Sequence, residues 1–242
     1  MRILVLSDIH SNAIALEAVL DAVRDWDTVW CLGDTIGYGP NPNECIDRLR
    51  ELPHMAIPGN HDWGVLGKAE LEKFNLDARR ANLWNREQLT PENRDYLEAL
   101  PLTRSDGEFT LAHGSPRDPI WEYLLYGDTA CKAMGALTTR LALVGHTHIP
   151  VVFVERGEDH GCGMGRPPVG EPFALPEARC IINPGSVGQP RDGDPRASCM
   201  VINTKEIILE HRRIAYDIEE TQARMRAVEL PHRLSARLEL GW

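Results

Sequence analysis

The sequence predicts an α/β layered fold, in which short buried strands alternate with helices. Short apolar runs recur along the chain, each bounded by Gly, Asn or Asp, as is typical of buried strands. Helical patterns follow several runs in the first half, whereas the second half is richer in strand. The first group of expected strands spans residues 3–6, 29–32, 55–57, 109–112 and 141–144.

The expected helices have recognisable starts. Asn12 is the expected N-cap of the first helix, whose apolar residues repeat at one-face spacing. A second helix is expected over residues 43–51. Thr90 followed by Pro91 indicates the start of a third, because a capping side chain and then a proline suit the first turn. Asp217, three residues before a glutamate, indicates the start of a fourth.

The second half adds further strands and one surface loop. The segment 157–176 is dense in Gly and Pro and has almost no apolar period, so we expect a loop there. No linker or internal repeat is visible, which predicts a single domain over 1–242 with a core of about 1–214 and a helical tail of about 217–242. The additional strands are expected over 151–155, 179–183, 198–203 and 207–214.

Composition excludes several classes of protein. The chain has 242 residues, 26% charged and 43% hydrophobic, which is ordinary for a globular protein and unlike a disordered, fibrous or membrane chain. A net charge of −10 without a visible basic patch disfavours binding to duplex nucleic acid. The first apolar run stops at Ser7, far short of a signal-peptide core or a membrane span. We therefore expect a cytoplasmic protein with no membrane partner.

The six cysteines are scattered and form no C-x-x-C pair. Without a visible export signal, we expect all six to be core or surface thiols. Cys31 is expected to be a buried strand residue rather than a ligand.

Polar residues of similar chemistry follow the five runs of the first group. If these strands are parallel, their carboxyl ends lie at one edge of a sheet, where open α/β sheets bind ligands. Glycine adjoins the polar residues in four of the five motifs, which allows sharp turns. The motifs are Asp8-Ile9-His10, Gly33-Asp34, Gly59-Asn60-His61-Asp62, His113-Gly114 and Gly145-His146-Thr147-His148.

Each motif alone is common in proteins, whereas the five motifs together indicate a metal site. A strand-end Asp usually caps or turns the chain, and a lone His is usually not a ligand. However, five of the nine histidines fall in these positions, and imidazole, carboxylate and amide groups suit Mn, Fe, Co, Ni or Zn. The two-residue spacing within Asp8/His10 and His146/His148 directs both members of a pair to one side. The histidines outside the motifs are expected at the surface: His54, His160, His211 and His232.

The ordered series D-x-H, G-D, G-N-H-D, H-G and G-H-T-H resembles that of the calcineurin-like metallophosphoesterases. The stretches 33–42 and 183–193 are similar to the small prokaryotic phosphodiesterase branch of that family. The resemblance extends over about residues 2–214. It implies two central mixed β-sheets flanked by helices, a four-layer arrangement that holds two divalent metal ions.

The resemblance also implies roles for individual residues. Asp34 would bridge the two ions, and His61 would be the catalytic histidine. Asp62 would assist catalysis as a partner of the site residues, without binding an ion itself. The first ion would be held by Asp8, His10 and His148, and the second by Asn60, His113 and His146. The ions would be Mn, Fe, Zn, Ni or Co, and their positive charge would make the pocket attractive to phosphate despite the acidic surface.

The expected function is hydrolysis of a small phosphodiester by attack of a metal-bridging hydroxide on phosphorus. Phosphomonoesterase and dinucleoside polyphosphatase activities are alternatives on the same site, and a metal-stabilised binding or scaffold module is the non-enzyme alternative. Arg191, whose guanidinium suits phosphate, and Tyr123, beside Trp121, are candidate substrate contacts. A homo-oligomer is compatible with these features.

Overall fold

The computed structural model describes residues 1–157 and 161–242. The strands are β1 (Arg2–Leu6), β2 (Thr28–Cys31), β3 (His54–Ala56), β4 (Arg104–Asp106), β5 (Phe109–Leu111), β6 (Leu141–Leu143), β7 (Val151–Glu155), β8 (Cys162–Gly165), β9 (Pro172–Ala174), β10 (Cys180–Asn183), β11 (Ala197–Asn203) and β12 (Ile208–Ile214). The α-helices are α1 (Ala13–Ala22), α2 (Pro42–Arg50), α3 (Asn60–Leu66), α4 (Leu76–Gln88), α5 (Pro91–Glu98), α6 (Gly127–Met134), α7 (Ile218–Ala227) and α8 (His232–Ala236). Short 3-10 turns lie at Leu71–Lys73 and Arg237–Leu240.

The strands form two six-stranded sheets, and the predicted fold class is confirmed. The first sheet has the order β3-β2-β1-β11-β12-β9, and the second has the order β4-β5-β6-β10-β7-β8. In the first sheet β1, β2 and β3 are parallel, and in the second β5, β6 and β10 are parallel. The other pairings are antiparallel, so both sheets are mixed.

Apolar residues on both faces of the central strands produce four layers. In β1, Leu4 and Leu6 pack toward α1, whereas Ile3 and Val5 pack between the sheets. In the second sheet the inward residues of β6 meet the same inter-sheet core, and Ala142 packs outward with α6. Side chains alternate along a strand, so a strand covered on both faces must be apolar throughout. This explains the unbroken apolar runs of the sequence.

The expected helix starts are confirmed by their caps. The side chains of Asn12, Thr90 and Asp217 accept hydrogen bonds from the backbone N–H three residues later, at 3.1, 3.3 and 2.9 Å. The helices that follow begin at the next residue in each case. A capping side chain satisfies a donor that the first turn leaves free, which is why these starts are readable in sequence.

Two surface expectations are wrong. The segment 157–176 contains β8, which pairs with β7, and β9, which pairs with β12. Both are edge strands held by backbone pairing with a neighbour, so their own sequence needs no apolar pattern. His211 is buried on β12, where its Nε2 lies 2.8 Å from the Ser198 hydroxyl. His160 lies outside the described residues.

The expectation of six free thiols is also wrong. Cys131 on α6 and Cys162 on β8 form a disulfide. Their pairing depends on α6 packing against an edge strand that the sequence pattern does not reveal. The other four cysteines are buried thiols, and Cys31 lies in β2 as expected.

The C-terminal helices pack beside the start of α4. Leu234 and Leu238 share an apolar cluster with Tyr38 and with Ala78 of α4. The Thr221 hydroxyl donates to the Asn12 side chain at 3.3 Å, which ties α7 to the beginning of α1. Among the described helices, none is both long and apolar enough to span a bilayer.

Candidate metal centre

The loops after β1, β2, β3, β5 and β6 meet at one place between the two sheets. Backbone hydrogen bonds hold them together: the His10 N–H donates to the Asp34 carbonyl at 2.9 Å, and the Gly145 N–H donates to the His113 carbonyl at 2.8 Å. Three of these strands are parallel in one sheet and two in the other, so their carboxyl ends converge. The expected convergence therefore uses both sheets rather than one.

The converging side chains form two groups that could hold a metal ion, and Asp34 belongs to both. In each group the potential ligand atoms lie within 4.8 Å of one another, and every residue is buried. The first group consists of Asp8, His10, Asp34 and His148, and the second of Asp34, His113 and His146.

Asp34 lies between the two groups. Its Oδ2 is 3.7 Å from the His10 Nε2 and 3.4 Å from the His113 Nε2. The second group gains an amide oxygen, because the Asn60 Oδ1 lies 3.1 Å from the His113 Nε2. In the first group the His148 Nε2 lies 3.4 Å from an Asp8 carboxylate oxygen.

Backbone carbonyls orient three of the imidazoles. The Nδ1 atoms of His10, His113 and His148 lie 3.2, 2.8 and 2.5 Å from the carbonyls of Ile36, Leu32 and Gln189. A ring whose Nδ1–H donates to a carbonyl directs Nε2 to the other side, here toward the acidic groups. Such backing hydrogen bonds are characteristic of metal-binding histidines.

The histidine nitrogens fit a cation. The Nε2 atoms of His10 and His148 face each other at 3.0 Å, and burial holds the pKa of both rings well below its ordinary value. Two neutral imidazoles with Nδ1 protonated would therefore oppose their Nε2 lone pairs. The His146 Nε2 is buried without a hydrogen-bond partner among the described residues. One cation in each ligand group would satisfy these nitrogen atoms.

The carboxylates carry the matching charge. Burial raises the pKa of Asp8 to about 7, against the attraction of His113. Burial also opposes ionisation of Asp34, but attraction to His113 and His61 outweighs it and holds the pKa of Asp34 below its usual range. Asp34 in turn raises the pKa of His113 to about 9, against the effect of burial. A metal ion bound by His113 would displace that proton, so acid would weaken its binding.

The backbone is strained at the same residues. Asp8, His10, Asp34, His146 and His148 all have positive φ, between 50° and 66°. Non-glycine residues in this region cost about 1–3 kcal/mol each, and such residues cluster at functional sites. These backbone conformations let the chain turn sharply directly after each strand, so that each of these side chains lies at a strand end.

His61 is held beside the two groups by a residue that sequence reasoning missed. Its Nδ1 lies 2.9 Å from the Asn82 Oδ1, while Tyr38 and Phe74 place their rings 4.3 and 5.1 Å from the imidazole. Asn82 is fully buried on α4, and its amide nitrogen has no partner in the described chain. An unsatisfied buried amide costs about 1–3 kcal/mol, which indicates a functional constraint. No expected helix covered this part of the sequence, so nothing there indicated Asn82.

Asp62 forms hydrogen bonds with the backbone of two loops. Its carboxylate accepts backbone N–H groups from Gly59, Ile36 and Thr35 at 2.8, 3.2 and 3.4 Å. It thereby joins the loop after β2 to the loop after β3. Asp62 is thus a buried support for the segments that carry Asp34 and Asn60.

The two candidate substrate contacts lie on different sides of the centre. The Tyr123 ring is 3.8 Å from the His146 ring and is 49% exposed, so it can contact a bound molecule. Trp121, also partly exposed, packs against Phe74. Arg191 is near His148, whose carbonyl accepts the Arg191 N–H at 3.3 Å.

Comparisons with known proteins show the family to which the chain belongs. Residues 1–206 match the sequence profile described as the calcineurin-like phosphoesterase superfamily domain. An uncharacterised protein of Methanocaldococcus jannaschii is 38% identical over 99% of this chain and 98% of its own length. Phosphodiesterase YfcE of Escherichia coli K12 is 25% identical over 84% of this chain and 88% of its own.

A solved structure is similar over the whole chain. The crystal structure of a metallophosphoesterase from Sphaerobacter thermophilus superposes with a TM-score of 0.92 at 44% identity. The match covers 100% of this chain and 99% of the other.

Replacing Gly59 should destabilise the protein, because a side chain there would clash with Asp34. A Cβ at Gly59 would lie 2.1 Å from the Asp34 Oδ1 and 2.5 Å from its backbone nitrogen, so one of the two loops must move. We expect Gly59→Ala to lower the free energy of unfolding by about 1–3 kcal/mol, measured by urea denaturation. Gly165→Ala is the control, because nothing lies within 4 Å of a Cβ there. Equal stability of the two variants would contradict the close approach.

Proposed function

Because the chain belongs to the calcineurin-like phosphoesterase superfamily, we propose that it is a metal-dependent phosphodiesterase acting on a small phosphodiester. The observation that carries the proposal is the pair of buried ligand groups that share Asp34. His61 beside them supplies a group that a purely structural metal site would not need. A relative named as a phosphodiesterase supports the reaction class.

We assign two divalent ions to this centre. Asp34 would be a ligand of both ions. The first ion would also be held by Asp8, His10 and His148, and the second also by Asn60, His113 and His146. Bound there, two divalent ions would supply Lewis acidity that lowers the pKa of a coordinated water and stabilises negative charge on the phosphate oxygens. Nitrogen and oxygen ligands without thiolate suit Mn, Fe, Zn, Ni or Co.

The chain's own residues provide the rest of the chemistry. Asn82 occupies the Nδ1 of His61, which leaves Nε2 as the nitrogen free to act on the substrate. From there His61 either donates a proton to the leaving oxygen or hydrogen bonds to a phosphoryl oxygen. Tyr123 forms an aromatic wall next to His146, and Arg191 offers a guanidinium to the phosphate.

A substrate panel tests the reaction class. Bis(4-nitrophenyl) phosphate, 4-nitrophenyl phosphate and a dinucleoside polyphosphate would be assayed with added Mn²⁺ and, in parallel, with a chelator. We expect chelator-sensitive turnover that is fastest with a diester. Preference for the monoester or the polyphosphate would select one of those alternatives. Turnover of none, with a chelator that still lowers Tm, would favour a metal-stabilised scaffold.

Asp34→Asn should remove metal and activity together. The change takes away the one carboxylate that belongs to both ligand groups. We expect loss of at least one metal per chain by elemental analysis and loss of diester hydrolysis. Asp21→Asn, at an exposed position of α1, is the control and should keep both. An active, fully metallated Asp34→Asn protein would refute the shared-ligand assignment.

His61→Ala should lose turnover while retaining metal. General acid–base catalysis contributes about 10²- to 10⁴-fold, so kcat for the diester should fall within that range. Metal content should match the wild type, because His61 belongs to neither ligand group. His232→Ala, an exposed histidine, serves as control. Full activity, or loss of metal, in His61→Ala would show that its role is different.

Asn82→Leu should lower kcat more than it changes KM. Without the Asn82 oxygen the imidazole of His61 loses its orientation, and a displacement of about 1 Å can cost roughly 100-fold in rate. Asn82→Asp keeps an oxygen at the same place and should recover much of the activity. If both variants lost activity equally and also lost metal, Asn82 would be a packing residue only.

A further inference from the structure

The candidate metal centre reaches solvent through three side chains. Asn60, His61 and His146 are 3–5% exposed, and we call their exposed surface the opening of the centre. Every other candidate ligand is at most 1% exposed. A substrate whose phosphate lies at the centre must therefore extend outward past these three residues.

Aromatic rings border the opening at two places. The Tyr123 ring lies 3.8 Å from the His146 ring, with an angle of 31° between the two planes. The Phe74 ring lies 5.1 Å from the His61 ring, and the Trp121 ring packs against Phe74 at 5.8 Å. Tyr123 is 49% and Trp121 38% exposed, so both keep ring surface that these neighbours leave uncovered. The organic part of a bound ester would therefore meet aromatic surface at the opening.

The segment that carries Trp121 and Tyr123 is anchored on both sides of the two rings. Ile120 and Leu124 are buried, and Leu124 packs in the apolar cluster that includes α6. Between the two rings Glu122 turns away, accepts a hydrogen bond from the Ser115 hydroxyl and pairs with Arg117. The two rings therefore belong to a fixed segment that is ready to receive a ligand, which lowers the entropic cost of binding.

The same segment is joined to a candidate ligand. It follows His113, and the Gly114 N–H donates to the Pro119 carbonyl at 2.8 Å, which folds the chain back. A Cβ at Gly114 would lie 2.8 Å from the Asp118 carbonyl oxygen and 2.9 Å from the Glu122 nitrogen. The segment therefore packs closely on the backbone beside His113. One loop thus fixes both the candidate ligand and the aromatic rings at the opening.

We propose that Tyr123 and Trp121 bind a planar aromatic ester group of the substrate. This deepens the proposed function and rests on it: the substrate class is a phosphodiester with an aromatic substituent. Exposed apolar surface beside a polar site commonly marks a binding surface, and tyrosine and tryptophan faces stack on planar rings. Tyr123 would offer the ring surface that His146 leaves free, and Trp121 would bound the aromatic group on the side of Phe74 and His61.

A matched pair of diesters tests the subsite. Benzyl 4-nitrophenyl phosphate and cyclohexylmethyl 4-nitrophenyl phosphate both release 4-nitrophenolate, and they differ in whether the second ester group is planar or saturated. With the Mn²⁺-loaded wild type we expect kcat/KM to be about 2- to 10-fold higher for the benzyl ester, the value of an aromatic contact beyond its buried area. Tyr123→Leu should abolish this preference, and Tyr123→Phe should keep it.

Further variants control for general effects of the substitutions. Tyr126→Leu is the matched control, because Tyr126 is a more exposed tyrosine at the end of the same segment, and it should keep the preference of the wild type. Trp121→Leu should reduce the preference. Metal content should equal that of the wild type in all variants, because neither ring belongs to a ligand group. A preference that survives in both Tyr123→Leu and Trp121→Leu would overturn the subsite.

Binding provides a readout that does not depend on turnover. Benzylphosphonate and cyclohexylmethylphosphonate would be titrated calorimetrically into Mn²⁺-loaded protein. We expect Kd to be about 2- to 10-fold lower for benzylphosphonate, and Tyr123→Leu should remove the difference. Equal Kd values in the wild type, or binding of neither phosphonate, would overturn the subsite.

The outcomes separate the two proposals. If the wild type hydrolyses neither diester, the proposed function fails, while the phosphonate titration still decides the subsite. If it hydrolyses both with equal kcat/KM, the proposed function stands and the subsite is overturned. Light scattering adds one more outcome: a changed oligomeric state of Tyr123→Leu with an unchanged substrate preference would identify the segment as a subunit interface, and it would also overturn the subsite.

Discussion

The candidate metal centre depends on one buried carboxylate, that of Asp34, which belongs to both ligand groups. Asp34 places one oxygen between the imidazoles of His10 and His113 and uses the other to accept the backbone N–H of His61. A buried carboxylate at this position is stable only where positive charge surrounds it. The neighbouring loops supply histidines, and in the proposed enzyme the bound metal ions would add further positive charge. The close approach of Gly59 and the positive φ of Asp34 are both consequences of that placement.

The two-sheet architecture stabilises this strained and polar site. Parallel strands from both sheets end at the same place, and the apolar core between the sheets anchors each strand up to its last residue. Strained residues such as Asp8 and His146 can follow directly, because the strands behind them are fixed on both faces. The candidate ligand residues therefore follow directly after strands that are packed on both faces, an arrangement that favours a preorganised site.

The C-terminal tail packs against a residue that contacts the first ligand group. Its apolar side chains share a cluster with Tyr38, and the Tyr38 ring lies 4.6 Å from the ring of His10. The tail therefore supports the aromatic residue beside His10.

Sequence by itself determined the fold class, the helix caps and the residues that meet at the strand ends. It could do so because strand burial, capping and ligand chemistry act over a few neighbouring residues, as at Asn12 or in the Asp8-Ile9-His10 motif. Tertiary structure alone decided that Asn82 holds His61, that Cys131 pairs with Cys162, that His211 is buried and that segment 157–176 includes edge strands. Each of these depends on a partner far away in the chain, and local sequence carries no record of which distant residue a side chain will meet.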